Sequence, residues 1–276
     1  MLDKIIIEEL QLYGYHGVLE EEKRLGQKFL VSLVLYGEFI KSENNDRIED
    51  TISYSEVCHF IEGEFTKKSF DLIESVANYI GIQLLIKFPG LKKVDVEVKK
   101  PCAPIGLPFK NVSVFTSKEW HTVYLALGSN MGDKASFLDM AISELNKDPL
   151  SKNVAESKRM ITKPYGYLDQ DDFLNSCVCI KTIRKPKEML SLTQSIEMKA
   201  NRERKIHWGP RTLDVDILLF DDIVYQDDNL IIPHVDMANR EFVLAPLMEI
   251  APYYIHPILL KSIKQIFQEL QEGKKE

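Results

Sequence analysis

The amino-acid sequence predicts an α+β protein built from two domains. Segments with alternating apolar residues, typical of strands, occur in both halves, and segments with helical apolar spacing lie between them. A short polar stretch, SKEWHT at 117–122, separates the two patterns. A chain of 276 residues is long enough for two hydrophobic cores. We therefore predict domains at 1–119 and 120–276.

The first domain is predicted to have the element order ββααββ. Strands are expected at 4–15, 27–39, 94–100 and 111–117, and helices at 55–65 and 72–87. Pro101, Pro104 and Pro108 indicate a loop between the last two strands. A four-stranded sheet covered by helices on one face leaves its edges and its other face uncovered. We therefore expect a homo-oligomer that assembles through this domain.

The second domain is predicted to have the order βαββαβ, which is the ferredoxin-like arrangement. The expected strands are 123–128, 153–161, 173–183 and 213–220, and the expected helices are 134–147 and 187–200. A further amphipathic helix is expected at 260–270.

Composition excludes several classes of function. The net charge is −7, and acidic residues outnumber basic ones in both halves, which argues against a nucleic-acid partner. No apolar run reaches the ~20 residues of a membrane span, and no signal peptide is evident, so a cytoplasmic protein with no membrane partner is expected. The four cysteines lack metal or redox spacing and are expected to be reduced and structural.

The most informative segment is residues 202–220, with the sequence RERKIHWGPRTLDVDILLF. Asp214 and Asp216 are two apart on a predicted strand and therefore share a face. Mg²⁺ is usually held by one or two carboxylates together with phosphate oxygens. Arg202, Arg204 and Arg211 supply guanidinium groups that match phosphate geometry. The segment therefore predicts a magnesium and polyphosphate site; the alternative is a charged surface loop beside a strand end.

One nearby motif does not fit a known phosphate-binding loop. Residues 128–135, GSNMGDKA, have three residues between the two glycines rather than four, and no Ser or Thr follows the lysine. A nucleotide must therefore be bound in another way.

The second half closely resembles the 6-hydroxymethyl-7,8-dihydropterin pyrophosphokinase family. The resemblance covers about 123–256 and rests on 202–220 together with ALGSNMGD at 126–133, DFLN at 172–175 and PHVDMANREFVL at 233–244. It implies transfer of a diphosphate from ATP to the hydroxymethyl group of the pterin, with release of AMP. Two Mg²⁺ ions would be held by Asp214 and Asp216.

The same resemblance implies roles for further residues. Arg202 and Arg211 would stabilise the transferred phosphates. The residues expected to contact ATP are Gln194, Glu197, Arg204, Trp208, Arg211 and His234. The residues expected to contact the pterin are Thr162, Tyr165, Phe173, Asn175, Arg240 and Phe242. Val235 and Asn229 depart from residues that some relatives carry, so contacts with the nucleotide there are left open.

The first half resembles the dihydroneopterin aldolase family over residues 3–117. The resemblance rests on LYGYHG at 12–17, Glu22, GQKF at 26–29, DTISYSEV at 50–57 and KKPCAPIG at 99–106. It implies a tunnelling fold (T-fold) and a retro-aldol cleavage of 7,8-dihydroneopterin. The products would be 6-hydroxymethyl-7,8-dihydropterin and glycolaldehyde. The C=N bond of the substrate accepts the electrons released, so no metal, Schiff base or other cofactor is implied.

Four residues would perform this chemistry, and a fifth would contact the substrate. Glu22 and Lys100 are the implied proton-transfer groups, with Lys99 as a neighbour that could lower the pKa of Lys100. Glu74 would bind the amino edge of the pterin, with Ile73 beside it. Tyr54 would act near the substrate, from a neighbouring subunit.

The two resemblances meet at one metabolite, because the product of the first reaction is the substrate of the second. The leading hypothesis is a bifunctional enzyme of folate biosynthesis, with lyase and transferase activities on pterins and ATP. One alternative is a pyrophosphokinase whose first domain is an inactive oligomerisation module. Another is a nucleotide-binding sensor that does not turn over.

Overall fold

A computed structural model describes residues 2–164, 169–200 and 211–273 of the chain. The chain divides into two compact units, 1–120 and 121–276. Each unit combines helices with an antiparallel sheet, so the predicted α+β class is confirmed.

No helix in the described part of the chain is long and apolar enough to cross a lipid bilayer.

The first unit contains a four-stranded sheet in the order β1-β2-β3-β4 with every pair antiparallel. Its strands are β1 (Asp3–Gly14), β2 (Gln27–Gly37), β3 (Lys93–Lys100) and β4 (Val112–Glu119). Its helices are α1 (Glu20–Leu25), α2 (Ile40–Asn45), α3 (Tyr54–Lys67) and α4 (Ile73–Lys87).

One face of this sheet forms the core of the unit. Buried and less buried residues alternate strictly along β2 and β3. Leu33 and Val96 are directly paired across these strands and are almost fully buried. α4 contacts β3 and β4. The opposite face carries exposed apolar side chains, with Ile6 60% and Phe115 65% exposed.

The second unit contains a sheet in the order β6-β8-β5-β9, with the short β7 paired to β8. Its strands are β5 (His121–Ser129), β6 (Ser151–Glu156), β7 (Met160–Thr162), β8 (Phe173–Thr182) and β9 (Asp214–Phe220). A two-stranded ribbon follows, made of β10 (Tyr225–Gln226) and β11 (Ile231–Ile232). Its helices are α5 (Lys134–Lys147), α6 (Pro186–Lys199), α7 (Glu241–Ile250) and α8 (Ile263–Glu272).

The sheet of the second unit is covered on both faces. α5 and α6 pack on one face through residues such as Leu138 and Ile196. α7 and α8 contribute to a second core that includes Leu244 and Ile266. The strands β5, β8 and β9 are therefore rich in apolar residues on both faces.

Several predicted elements differ from the structure. The strand expected at 153–161 is divided into β6 and β7 at Ser157, whose hydroxyl accepts a hydrogen bond from Cys177 N at 2.9 Å. Helices α1, α2 and α7 were not predicted from the sequence. All four cysteines are free thiols, as expected, and Cys177 and Cys179 are buried; Cys102, however, is exposed, so a structural role for it is not supported.

Candidate active sites

The first candidate site centres on an ion pair between Lys100 and Glu22. Lys100 is the last residue of β3, and Glu22 lies in α1. Lys100 Nζ is 2.6 Å from Glu22 Oε1, and the two side chains are only 11% and 9% exposed. The ammonium group of Lys100 and the carboxylate of Glu22 are thus held in contact at the edge of the core.

Two further groups donate hydrogen bonds to the Glu22 carboxylate. Gln27 Nε2 donates to Oε1 at 3.0 Å, and Leu19 N donates to Oε2 at 3.2 Å. Burial would raise the pKa of Glu22, but the hydrogen bonds from Lys100, Leu19 and Gln27 outweigh burial and lower it. Gly17 has a φ of 152°, and a Cβ there would collide with the carboxylate. Glu22 therefore remains ionised in a fixed orientation.

The other residues predicted for this site lie at the starts of helices. Ile73 and Glu74 begin α4; Ile73 is buried and Glu74 is exposed. Tyr54 begins α3 and is 64% exposed. No hydrogen bond or ion pair among the described residues joins Glu74 or Tyr54 to Glu22.

Lys99, expected from the sequence to act on Lys100, is turned away from it. Successive residues of a strand point to opposite faces. Lys99 Nζ pairs with Glu9 at 3.0 Å and with Glu97 at 3.5 Å on the open face of the sheet. Lys100 is turned toward Glu22 instead. The charge of Lys99 is thus balanced by carboxylates on the other side of the sheet.

The second candidate site lies at one end of the second sheet. Gly128 in β5 is directly paired with Asp214 in β9 and with Asn175 in β8. Asp216 is paired with Ala126, two residues further along. Side chains of paired residues share a face, so the two carboxylates and the amide lie on one side of the sheet. A Cβ on Gly128 would be 2.9 Å from Asn175 Oδ1, so glycine leaves room for the amide.

Arg211 connects the carboxylates to an aromatic ring. Its Nη1 donates to Asp214 Oδ2, and its guanidinium lies 5.9 Å from the centre of the Phe173 ring. Its Nε is buried without a hydrogen-bond partner in the part of the chain that the structure describes. The guanidinium of Arg211 is therefore held beside Asp214, and its Nε–H group is available to donate a further hydrogen bond.

The donor set of Asp214 and Asp216 fits a magnesium ion. Desolvation and the negative charge of Asp214 raise the pKa of Asp216 above the usual range of an aspartate. A divalent cation bound to both carboxylates would reverse this effect. No group of three or more His, Cys, Asp or Glu residues suited to a metal occurs in residues 2–164, 169–200 and 211–273. Two carboxylates match Mg²⁺, which takes its remaining ligands from water and phosphate.

A second layer of charged groups surrounds Asp216. His234 Nε2 is 4.0 Å from Asp216 Oδ2, and burial together with the charge of Arg240 lowers the pKa of His234. Arg240 Nε donates to Asp236 Oδ2 at 2.9 Å, and its guanidinium lies 5.8 Å from the centre of the Phe242 ring. His234 thus lies near Asp216, Arg240 is close enough to act on its charge, and Phe242 lies beside Arg240.

The remaining predicted residues have varied positions. Asn175 Nδ2 donates to Thr162 Oγ1 at 2.7 Å, so these two pterin candidates are in contact. Glu197 is buried, and its Oε1 accepts a hydrogen bond from Val215 N at 2.9 Å. Gln194 is exposed on the same helix. The predictions for Tyr165, Arg202, Arg204 and Trp208, and for closure of 199–209, fall largely or wholly outside the described residues.

Sequence reasoning missed the role of Asn130. This residue is almost fully buried, its Oδ1 accepts a hydrogen bond from Arg211 N at 2.8 Å, and its Nδ2 donates to Gln170 Oε1 at 3.0 Å and to Asp171 O at 3.2 Å. It therefore joins the turn after β5 to two segments distant in sequence. Asn130 lies in GSNMGDKA, beside a predicted strand end, and this position is the feature of the sequence that could have indicated its role.

Comparisons with known proteins match both units. Residues 124–252 match the family model of 7,8-dihydro-6-hydroxymethylpterin-pyrophosphokinase (HPPK), and residues 5–117 match that of dihydroneopterin aldolase (FolB). The chain is 47% identical over 127 residues to 2-amino-4-hydroxy-6-hydroxymethyldihydropteridine pyrophosphokinase of Bacillus subtilis, which covers 46% of this chain and 76% of that protein.

Two longer proteins are also similar. Bifunctional protein FolKE of Lactococcus lactis is 45% identical over 129 residues, which cover 47% of this chain and 37% of that protein. Folic acid synthesis protein FOL1 of Dictyostelium discoideum is 30% identical over 299 residues, which cover 99% of this chain and 45% of that protein. The chain thus spans less than half the length of these two relatives.

Proposed function

Because the chain belongs to the 7,8-dihydro-6-hydroxymethylpterin-pyrophosphokinase family, we propose that its second unit transfers a diphosphate from ATP to 6-hydroxymethyl-7,8-dihydropterin. The first unit, which matches the dihydroneopterin aldolase family, produces that pterin from 7,8-dihydroneopterin. The chain is then a bifunctional enzyme of folate biosynthesis. The match to FOL1 over 99% of the chain supports the pairing of the two units.

The convergence of Asp214, Asp216 and Asn175 at one end of the sheet carries the proposal for the second unit. Asn175 binds the edge of the pterin with its amide, and Phe173 offers a stacking face. Arg211, between Phe173 and Asp214, donates to phosphate oxygens near the acceptor hydroxyl. The hydroxyl is thereby aligned with the β-phosphorus of ATP. In this reaction class, positioning and electrostatics supply most of the rate.

Asp214 and Asp216 would hold two Mg²⁺ ions, which when bound neutralise the charge that develops on the transferred phosphates. The residues of the chain do the remaining work. His234 and Arg240 contribute to the electrostatic environment of Asp216, and they stay predicted contacts of ATP and of the pterin, respectively. Arg202, Arg204, Trp208, Gln194 and Glu197 stay predicted contacts of ATP, and Thr162, Tyr165 and Phe242 predicted contacts of the pterin.

The ion pair of Lys100 and Glu22 carries the proposal for the first unit. Removal of the proton from the hydroxyl on the carbon that becomes the carbonyl of glycolaldehyde starts the retro-aldol step. The C–C bond then breaks, its electron pair enters the ring C=N bond, and a proton is added to the resulting carbon. Lys100 and Glu22 exchange these protons with the substrate. Glu74 binds the pterin edge with both carboxylate oxygens, and Ile73 packs beside it.

We propose that the first unit assembles with copies of itself. β1 and β4 are edge strands of an open sheet, and its uncovered face exposes Ile6 and Phe115. Both features favour pairing with another chain. Assembly would bring Tyr54 of a neighbouring subunit to the Glu22 and Lys100 pair. The same proposal includes four further predictions. These are the T-fold and ferredoxin-like classifications, the functional boundary near residue 120 and a cytoplasmic location.

Two separate assays test the proposal. Purified protein supplied with 7,8-dihydroneopterin and no ATP should release glycolaldehyde. Supplied with 6-hydroxymethyl-7,8-dihydropterin, ATP and Mg²⁺, it should release AMP, and omission of either the pterin or Mg²⁺ should stop the release. Absence of glycolaldehyde would leave a pyrophosphokinase with an inactive first unit. Absence of AMP under every condition would leave a nucleotide-binding protein.

A further inference from the structure

A buried histidine that takes no part in the proposed chemistry lies next to the first candidate site. His16 is only 1% exposed and follows β1, in the loop that leads to α1. Its ring makes edge contacts with Phe29 and Phe65, with ring centres 5.5 and 4.6 Å apart. Edge contacts between rings use carbon atoms only, so they do not by themselves call for the nitrogens of an imidazole.

Nδ1 of the imidazole accepts a hydrogen bond from the backbone of the α3–α4 connection. Phe70 N donates to His16 Nδ1 at 3.3 Å. Burial lowers the pKa of His16 to about 4, so the ring is neutral at pH 7 and Nδ1 has a lone pair to accept this bond. The proton of the neutral ring is then on Nε2. The imidazole thus accepts a hydrogen bond from a backbone N–H group inside the core.

This bond belongs to a set of contacts between two loops. Gly17 N donates to Phe70 O at 2.9 Å, so both polar groups of Phe70 are bound by the His16–Gly17 loop. The Ser69 hydroxyl donates to Tyr15 O. Lys23 in α1 pairs with Asp71 at 2.9 Å. The connection between α3 and α4, residues 68–72, has no regular secondary structure of its own, so these contacts determine its position.

Each of the two loops leads directly to a residue of the candidate site. Gly17 lies against the Glu22 carboxylate, which is in contact with Lys100. Two residues after the α3–α4 connection, Glu74 stands in the first turn of α4. The hydrogen bond of His16 therefore links the proton-transfer pair to the proposed pterin-binding carboxylate through a short stretch of backbone.

We propose that His16 is a positioning residue of the aldolase site, whose bond to Phe70 N sets the placement of Glu74 relative to the Glu22 and Lys100 pair. The inference rests on the aldolase function proposed above. Because a misplacement of ~1 Å can cost up to ~10²-fold in rate, loss of this bond should reduce kcat more than it affects pterin binding.

Three variants separate the hydrogen bond from packing. His16→Phe keeps an aromatic ring and removes the acceptor. His16→Asn places an amide oxygen where Nδ1 lies, and His16→Gln places it one bond further out. Glycolaldehyde release is measured as kcat and KM for 7,8-dihydroneopterin. AMP release by the second unit reports on the amount of intact protein.

The expected result is that His16→Phe lowers kcat roughly 10- to 100-fold with little change in KM, and that His16→Asn recovers most of the loss. Equal kcat for wild type and His16→Phe, or equal losses in His16→Phe and His16→Asn, would overturn the inference while the aldolase function stands. If His16→Phe does not fold, His16→Asn should still exceed His16→Gln by about 10-fold, and equality would overturn the inference. A wild-type protein that releases no glycolaldehyde removes the proposed function and the inference together.

Discussion

Lys100 Nζ lies 2.6 Å from Glu22 Oε1, and both side chains are about nine-tenths buried. The neighbouring Lys99 points to the other face of the sheet, where it pairs with Glu9 and Glu97. Two consecutive lysines thus have different surroundings, one enclosed beside a carboxylate and one on an open surface. Of the two, the enclosed lysine is the one that we propose as a proton-transfer group.

Replacement of these two lysines should have very different effects. Lys100→Ala removes a proton-transfer group and should lower kcat for glycolaldehyde release by about 10²- to 10⁴-fold. Lys99→Ala makes the same change on the opposite face and should leave kcat almost unaltered. Steady-state assays of both variants, with AMP release as a measure of intact protein, check this. Similar losses in the two variants would contradict the assignment of Lys100.

Asp216→Asn should largely abolish AMP release, by roughly 10²-fold or more, because metal coordination supplies several kcal/mol of transition-state stabilisation. Glycolaldehyde release should be unchanged. Asp222→Asn is a matched control, since Asp222 is an exposed residue just beyond the other end of β9. An Asp216→Asn protein with wild-type AMP release would refute the metal site.

Gly128→Ala should weaken use of the pterin by the second unit. The added Cβ would lie 2.9 Å from Asn175 Oδ1, so the amide must shift from its present position. Loss of one hydrogen bond to a buried polar group costs about 1–3 kcal/mol, which corresponds to a KM increase of about 5- to 150-fold. Gly63→Ala, at a position with open space around it, should leave this KM unchanged. An unaltered pterin KM in Gly128→Ala would argue against Asn175 as a pterin ligand.

A buried ion pair should make the second unit sensitive to acid. Burial would raise the pKa of Asp148, but hydrogen bonds from Arg184 and Ser151 outweigh burial and lower it. A carboxyl with a lowered folded-state pKa contributes stability above its unfolded-state pKa of about 3.9 and loses it as pH falls through the folded-state value.

Asp148→Asn should therefore destabilise the protein at pH 7 by about 2–3 kcal/mol, less than for a fully enclosed pair because Arg184 keeps some contact with water. The difference from wild type should shrink below about pH 3. Urea denaturation followed by circular dichroism at both pH values checks this. Lys147→Gln, which breaks an exposed pair with Glu144, should change little. A loss that is the same at both pH values would exclude the electrostatic explanation.

Elements with strong periodicity were predictable from the sequence. The strict alternation of β2 and β3 indicates both the strands and their buried face. The same alternation, applied to 99–100, would have separated the environments of Lys99 and Lys100. In contrast, α1 has six residues, too few for a periodic pattern, and α7 contains Pro246, which argues against a helix in sequence reasoning.

The candidate sites were predictable only in part. The shared face of Asp214 and Asp216 follows from their spacing on one strand. The contacts of Asn130 with Gln170 and Arg211 join residues 40 and 81 positions away in sequence, which no local pattern contains. The bond between Phe70 and His16 likewise spans 54 positions. Long-range hydrogen bonds of this kind appear only when the fold is known.

A coupled assay shows whether the two units act in sequence on one pterin. Intact protein is supplied with 7,8-dihydroneopterin, ATP and Mg²⁺, with no hydroxymethyldihydropterin added. If both units act in sequence, glycolaldehyde and AMP should form, with AMP appearing after a lag and approaching the amount of glycolaldehyde. Formation of AMP only when 6-hydroxymethyl-7,8-dihydropterin is added would show that the first unit does not supply the second.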